Sequence, residues 1–204
     1  MTVADATGQQ GLDPAALAVL FRDAHTTYSF TDEQVSDAEL AEIYDLVRHA
    51  PTAMNTQPLR IVFVRSQAAK DRLLPLVSEG NRVKVESAPV TAILAADLDF
   101  HEHLPLLAPH MPNAKDRFAD DEADRERTAR FNATLQAGYA ILAIRALGLD
   151  AGPMGGFDRD AVDREFFAGT PLRALLLVNI GHAAPDGTRP RSPRLEHGQA
   201  VTIL

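Results

Sequence analysis

The chain has 204 residues, 46% of them hydrophobic, and a formal net charge of −8 at pH 7. This length and composition predict one domain with a sizeable core, and the acidic balance disfavours nucleic acid and anionic membranes, which attract clustered Lys and Arg. The sequence contains no cysteine, which excludes disulfides, cysteine-bound zinc, iron–sulfur clusters and thiol nucleophiles.

The two ends of the sequence differ in composition from the rest. Residues 1–11 are polar and lack a basic stretch followed by an apolar one, so we expect a flexible leader rather than a targeting signal. No apolar run reaches the length of a membrane span, and we therefore expect a soluble cytoplasmic protein. Residues 12–204 are predicted to form a single domain that ends in a C-terminal arm over about 185–204, of which residues 185–193 are predicted to be extended.

Capping signals mark the first two helices. Asp13 followed by Pro14 predicts a helix that ends near residue 23, and residues 25–30 are predicted to be extended. Residues 36–39, S-D-A-E, form a capping-box pattern that opens a second helix. The buried face of that helix is predicted from the spacing of Leu40, Ile43, Tyr44 and Val47.

Further along, caps and apolar runs outline the remaining helices and the sheet. Ser66 is predicted to cap a helix that ends at Gly80. Residues 120–148 are predicted to form the longest helix, with Gly148 as its C-terminal cap. The second half of that helix is apolar nearly all round, which predicts burial. Asp158 is predicted to start another helix. Strands are predicted at 60–64, 90–96 and 174–181.

Two short stretches stand apart from this pattern. Residues 50–58 read A-P-T-A-M-N-T-Q-P, a proline-bracketed loop with side-chain amides just before a strand. Residues 152–158 read G-P-M-G-G-F-D, and a glycine pair lets backbone approach a planar ligand without a Cβ in the way. Taken alone, each could be an ordinary turn. The sequence has no G-x-G-x-x-G and no P-loop pattern, so neither of those nucleotide sites is predicted.

Together, in this order around a long apolar helix, the two stretches resemble the FMN-dependent nitroreductase family. Within it, the chain is most similar to the malonic semialdehyde reductases of pyrimidine degradation. The resemblance extends from about residue 16 to the C-terminus. It implies an α+β fold, with a mainly antiparallel sheet flanked by helices, and two FMN sites shared across an intertwined homodimer. It also implies NADH or NADPH as reductant, and no catalytic side chain, because the flavin N5 carries the hydride.

The resemblance also indicates which residues hold the cofactor. Asn55 and Gln57 would reach the ring edge from the partner subunit, and the amides of the glycine pair would face N5. Where relatives carry an arginine for the phosphate, this sequence has His25, and a neutral imidazole is a weaker phosphate partner than a guanidinium. The implied FMN-binding residues are His25, Thr27, Pro51, Thr52, Asn55, Gln57, Asn81, Lys84, Pro153, Met154, Gly155, Gly156 and Arg194.

The substrate is less clearly indicated than the cofactor. Residues 101–130 are predicted to cover the open face of the ring, with Phe118 or Phe131 either as an apolar wall there or as core aromatics. Our main hypothesis is ping-pong reduction of malonic semialdehyde to 3-hydroxypropionate. A nitro- or quinone-reducing activity and a non-catalytic flavin-binding role are the alternatives. We predict no metal site, and a distant alternative is a metal-dependent hydrolase using Asp97, His101 and His103.

Overall fold

A single antiparallel sheet lies at the centre of the computed structural model, which describes residues 11–204. The predicted leader, apart from Gly11, lies outside the described residues. The strands of the sheet are β1 (Leu59–Val64), β2 (Val90–Asp97), β3 (Asp150–Met154) and β4 (Leu172–Gly181). They are arranged in the order β1-β2-β4-β3, and all three neighbouring pairs are antiparallel. The predicted α+β fold with an antiparallel sheet is therefore confirmed.

Helices of very different lengths surround this sheet. The first, α1 (Pro14–Leu17), continues as a π-helical turn over Ala18–Arg22. Short 3₁₀ turns occur at Ala53–Asn55, Leu74–Leu76 and Phe100–His103. The other helices are α2 (Asp37–Val47), α3 (Gln67–Leu73), α4 (Glu79–Ser87), α5 (Leu104–Leu107), α6 (Ala114–Ala119), α7 (Glu122–Ala146), α8 (Arg159–Phe166) and α9 (His197–Ala200).

The helix ends follow the capping signals in the sequence, with one exception. Ser36 and Glu39 form the predicted reciprocal capping box, Asp158 caps α8, and Gly148 ends α7 with φ of 78°. Gly80 does not end a helix but lies in the first turn of α4. A glycine there is tolerated because the helix is held by packing rather than by propensity.

The sheet has a hydrophobic core on each face, because alternate residues of a strand point to opposite sides. On one side, Ala92 and Leu94 of β2 pack with α2 and α7. On the other, Ile93 and Ala95 pack with α3, α4 and α8. Tyr44 was predicted on the buried face of α2, but it is half exposed in the single chain.

The long helix α7 contacts the sheet through small side chains and leaves large ones exposed. Its buried face is mainly alanine, with the polar Asn132 and Gln136 among them. Phe131, Leu135 and Tyr139 remain 64%, 43% and 43% exposed, so the predicted burial on all sides is wrong for one chain. Within residues 11–204, no helix combines the length and hydropathy needed to span a bilayer.

The segment before α2 is extended, as predicted, and lies between β3 and the C-terminal arm. Thr27 N–H donates to the Ala151 carbonyl at 3.1 Å, and Tyr28 N–H donates to the Gly187 carbonyl at 2.7 Å. A Cβ on Gly187 would lie 2.5 Å from the Ser29 carbonyl oxygen. This close approach requires glycine, so the arm is fixed against residues near the start of the chain.

Candidate functional site

The glycine pair follows β3 directly, and its two members have different surroundings. The Gly156 carbonyl accepts hydrogen bonds from Ser78 N–H (3.0 Å), Ser78 Oγ (2.9 Å) and Asn81 Nδ2 (3.0 Å). A Cβ on Gly156 would lie 2.6 Å from Asn81 Nδ2, whereas one on Gly155 would meet only the Arg159 guanidinium, at 3.7 Å. Packing against α4 therefore requires glycine at 156, while the space beside the exposed Gly155 is open.

The backbone amides of the pair are available to a ligand. Within the described part of the chain, neither the Gly155 nor the Gly156 N–H donates a hydrogen bond to another residue. Backbone donors in a folded chain are normally satisfied by protein, water or ligand. The two preceding predicted residues, Pro153 and Met154, belong to β3, and Met154 is buried in the core beside α8. The role of Pro153 and Met154 is therefore to position the backbone of the glycine pair rather than to contribute side chains to a ligand site.

Asn81 connects the glycine pair to Lys84. Its amide nitrogen bonds Gly156, and its Oδ1 accepts from Lys84 Nζ at 2.8 Å. Lys84 Nζ in turn lies 4.9 Å from the centre of the Tyr28 ring, a cation–π distance. On the same ring, the Arg189 guanidinium lies 4.4 Å from the centre. These contacts form a continuous series that we call the strip, defined as Gly155, Gly156, Asn81, Lys84, Tyr28 and Arg189.

At the arginine end of the strip is a basic cavity of about 530 Å³. None of its arginines forms an ion pair with a carboxylate of the described residues. Burial lowers the pKa of Arg145, Asp150 opposes this shift, and Arg191 adds to it. A concave site with uncompensated positive charge in an acidic protein favours an anion. The charged and polar residues lining it include His25, Thr26, Tyr28, Arg145, Arg189, Arg191, Ser192 and Arg194.

Residues 25–27 do not all contribute to this cavity. His25 and Thr26 line it, and the His25 Nδ1 lies 3.0 Å from the Arg189 carbonyl oxygen. The predicted phosphate contact Thr27 points inward instead: it is 1% exposed, and its hydroxyl has no hydrogen-bond partner in the described chain. The hydroxyl that faces the cavity belongs to Thr26.

The other predicted stretch is a strained loop. Three of its non-glycine residues have positive φ: Met54 (54°), Asn55 (54°) and Gln57 (41°). Each such residue costs about 1–3 kcal/mol and persists only where the surrounding structure imposes it. Here α7 imposes it. Asn132 Oδ1 accepts the Ala53 N–H at 2.7 Å, and the buried Gln136 Oε1 accepts the N–H of Leu59 at 3.0 Å.

The loop is also tied together by its own polar side chains. Gln57 Nε2 donates to Asn55 Oδ1 at 2.7 Å, Gln57 N–H donates to Thr52 Oγ1 at 3.2 Å, and Asn55 Nδ2 donates to the Leu107 carbonyl at 2.8 Å. Pro51 at its start is exposed. Throughout the described residues, no hydrogen bond joins the loop to the strip. Within the described chain, the loop and the strip are therefore two separate hydrogen-bonded groups.

The remaining candidates have structural roles. Phe118 is 2% exposed and packs edge-on against Phe100 at 5.0 Å, so it belongs to the core and not to a wall over a ligand. Asp97 is engaged by Arg60 at 2.6 Å, and burial lowers the pKa of His101. Among residues 11–204, no group of three or more His, Asp or Glu side chains is placed to hold a metal ion.

Sequence reasoning missed Tyr28 and Arg189 of the strip, Ser78 beside its glycine end, and several residues of the cavity. Ser78 supplies two of the donors to Gly156, Tyr28 joins the two cations, and Arg189 supplies one of them. The available signal was the arginine spacing R-P-R-S-P-R over residues 189–194. Only the last of those arginines was selected, because nothing in the sequence indicates that residue 189 returns to residue 28.

Comparison with known proteins adds independent findings. A sequence model of the nitroreductase family matches residues 21–182. A Leptothrix cholodnii protein is 53% identical over 193 residues, covering 95% of this chain and 98% of its own. A Streptomyces coelicolor protein is 54% identical over 184 residues, covering 90% and 91%. Both are named, provisionally, as NADH dehydrogenase/NAD(P)H nitroreductase.

Solved structures share the fold at much lower identity. An Exiguobacterium sibiricum protein, provisionally named a nitroreductase and solved in complex with FMN, matches with a TM-score of 0.81 at 20% identity. The match covers 96% of this chain and 99% of that one. At this identity the likeness shows the shared fold alone.

Proposed function

Because the chain belongs to the nitroreductase family, we propose that it is an oxidoreductase that binds FMN and uses NADH or NADPH to reduce a small-molecule acceptor. The single domain spans residues 12–204 in this proposal. Family membership rests on the match over residues 21–182 and on relatives more than 50% identical over nearly the whole chain. The cofactor proposal rests on the residues of this chain.

The continuity of the strip is the observation that supports this proposal most. It brings free glycine amides, an amide side chain, a lysine and an arginine into one series of contacts. His25 and Arg189 meet although they are 164 positions apart. These donors suit a ligand with a planar polar ring at one end and a phosphate at the other. FMN is such a ligand, and when bound it supplies hydride transfer at its N5.

Each part of the chain then has a role in holding that ligand. The Gly155 and Gly156 amides would donate to the ring near N5, and the open space beside Gly155 would admit the ring. Lys84 and an arginine of the adjoining cavity would bind the phosphate at the cationic end, and the resemblance points to Arg194 for that arginine. We assign the strained loop with Asn55 and Gln57 to the ring of a second subunit, because in one chain the loop and the strip are separate.

A homodimer is the assembly that would complete the site. The exposed side chains Phe131, Leu135 and Tyr139 form an apolar surface on α7. Val201, Ile203 and Leu204 at the end of the arm are also exposed. Large contiguous apolar surfaces of this kind are typical of subunit interfaces. We propose that a second copy covers them and that the arm, about 185–204, lies across that partner, giving an intertwined dimer.

For the acceptor we propose malonic semialdehyde, reduced to 3-hydroxypropionate. A cavity of about 350 Å³ beside Gln57 is lined by Arg48, Arg60 and His103 as well as apolar residues. Asp97 neutralises Arg60 at 2.6 Å, whereas Arg48 has only an exposed pairing with Asp45 at 3.4 Å. A cation next to the ring-contacting loop suits an acceptor that carries a carboxylate. The names of the relatives favour a nitro compound as the competing acceptor.

A comparison of acceptors tests the substrate proposal. The FMN-loaded protein is reduced anaerobically with NADPH or NADH, and reoxidation by malonic semialdehyde, a quinone and a nitroaromatic compound is followed by flavin absorbance. We expect the aldehyde to reoxidise the flavin fastest. Arg48→Ala should raise KM for the aldehyde and leave the neutral nitro acceptor unchanged. If only nitro compounds or quinones restore the colour, the aldehyde assignment is wrong and the broad reductase remains.

A further inference from the structure

The cationic end of the strip contains a histidine where the resemblance implies an arginine, and the structure offers a different arginine nearby. We propose that Arg189 supplies the guanidinium that binds the FMN phosphate, together with Lys84, and that His25 is a positioning residue that holds Arg189 in place. This inference rests on the proposed FMN function. It deepens that function by assigning the phosphate contact to the C-terminal arm.

A hydrogen bond of the His25 ring indicates the role of this residue. Its Nδ1 lies 3.0 Å from the Arg189 carbonyl oxygen, and a carbonyl oxygen can only accept, so Nδ1 must carry the hydrogen. A neutral imidazole with hydrogen on Nδ1 has only a lone pair on Nε2. Such a ring can accept a hydrogen bond from Nε2 but cannot donate one to a phosphate. In its neutral form His25 therefore fixes the backbone at residue 189 and offers the anion no donor.

The other arginines of the cavity are already engaged, and one of them, Arg145, donates to the Leu20 carbonyl at 3.4 Å. Arg191 donates to the Arg22 carbonyl at 2.6 Å and to the Ala24 carbonyl at 2.8 Å, which clips the arm to the end of the first helical segment. Arg194 donates to the carbonyls of its neighbours Ser192 and Pro193, at 2.7 and 3.2 Å. Arg189 has no side-chain hydrogen bond to the described residues, and its guanidinium is held only by the Tyr28 ring.

The Tyr28 ring contacts a second cation as well as Arg189. The ring centre lies 4.4 Å from the Arg189 guanidinium and 4.9 Å from Lys84 Nζ. Two like charges that contact the same aromatic ring repel each other, and an anion bound near them would relieve the repulsion. A phosphate monoester carries a charge of about −1.5 to −2 at neutral pH. A guanidinium also offers paired N–H donors that match phosphate oxygens.

Comparing FMN with riboflavin, which lacks the phosphate, tests this assignment. Dissociation constants of both flavins are measured by fluorescence quenching for the wild-type full chain and for Arg189→Ala, Arg189→Lys and His25→Ala. Arg164→Ala, an exposed arginine on α8, is the control. We expect Arg189→Ala to weaken FMN binding about 10- to 100-fold while riboflavin changes less than about 2-fold. Arg189→Lys should recover part of the loss, and His25→Ala should cost less than Arg189→Ala.

Other outcomes separate the possible failures. If Arg189→Ala weakens both flavins equally, Arg189 has a structural role and the inference is wrong. If His25→Ala alone removes the preference for FMN over riboflavin, the imidazole is the phosphate ligand and the inference is again wrong. If the wild-type protein binds neither flavin, the proposed function itself fails. Circular dichroism of each variant identifies any loss of folding, and Arg189→Lys still reports on the assignment if Arg189→Ala does not fold.

Discussion

The two adjacent glycines allow binding of the cofactor to be separated from stability of the fold. An alanine Cβ at Gly156 would lie 2.6 Å from Asn81 Nδ2 and 2.7 Å from Ser78 Oγ, and both side chains would have to move. Overpacking of this kind costs about 1–3 kcal/mol. For a domain of this size, that corresponds to a Tm lower by about 2–12 °C.

Gly155→Ala should behave in the opposite way. Its Cβ would meet only the Arg159 guanidinium, at an ordinary 3.7 Å, and the backbone there does not have positive φ. We expect the free energy of unfolding to stay within about 0.5 kcal/mol of the wild type. If the flavin ring lies on this backbone, the same methyl group would sit between ring and amide, and FMN affinity should fall about 10-fold or more.

The assay is thermal unfolding of each apo-protein, followed by FMN titration at a temperature where both variants are folded. The expected pattern is normal Tm with weak binding for Gly155→Ala, and lower Tm with weak binding for Gly156→Ala. A Gly155→Ala protein that is fully folded and binds FMN as tightly as wild type would show that the ring does not lie on this glycine. The open space beside Gly155 would then not be where the ring binds.

Three further predictions address the loop, pH and assembly. Asn132→Leu leaves the Ala53 N–H without its acceptor, so urea unfolding should show a loss of about 1–3 kcal/mol; unchanged stability would mean that Asn132 does not hold the loop. Burial lowers the pKa of His101 in the folded chain, so as the pH falls below the unfolded value of about 6.5 the unfolded state takes up the proton first. Wild-type stability should therefore fall between pH 7 and 5 more steeply than that of His101→Gln, and parallel pH profiles would contradict this. Leu135→Glu introduces a charge into the exposed apolar face of α7, and light scattering should show a monomer; an unchanged dimer would place the interface elsewhere.

Local signals in the sequence predicted the elements that depend on local chemistry. The capping box at Ser36, the caps at Asp13 and Asp158, and the C-terminal glycine of α7 were all confirmed. Each is a hydrogen bond or a backbone conformation within a few residues, so the residue types alone specify it. Strands β1, β2 and β4 were also confirmed, and the apolar run of β2 reflects burial on both faces.

Features that depend on distant contacts were not predictable in this way. β3 contains Pro153 and lies at the edge of the sheet, next to β4. A short edge strand with a proline gives no apolar run in the sequence. Gly80 was predicted to end the helix capped by Ser66, but that helix ends earlier and Gly80 lies within α4, which packing maintains. Phe131 and Phe118 could not be told apart by sequence, although one is exposed and the other is in the core. The direction of Thr27 depends on its pairing with β3.

The candidate site was likewise predictable only in part. The resemblance selected both stretches, and the structure connects Gly156, Asn81 and Lys84 through hydrogen bonds. The resemblance could not select Arg189, because that arginine reaches the strip only where the C-terminal arm returns along Tyr28. Nor does the sequence reveal that the loop around Asn55 is strained, since the positive φ values are imposed by α7.

Anaerobic reduction of the purified protein reconstituted with FMN is the most direct test of the central claim. Unbound FMN is removed, and the visible absorbance of the retained flavin is recorded before and after addition of NADPH or NADH. We expect that flavin remains with the protein and that its absorbance bleaches on addition of nicotinamide. A protein that retains no FMN, or retains FMN that neither nicotinamide reduces, would contradict the assignment of this chain as an FMN-dependent NAD(P)H oxidoreductase.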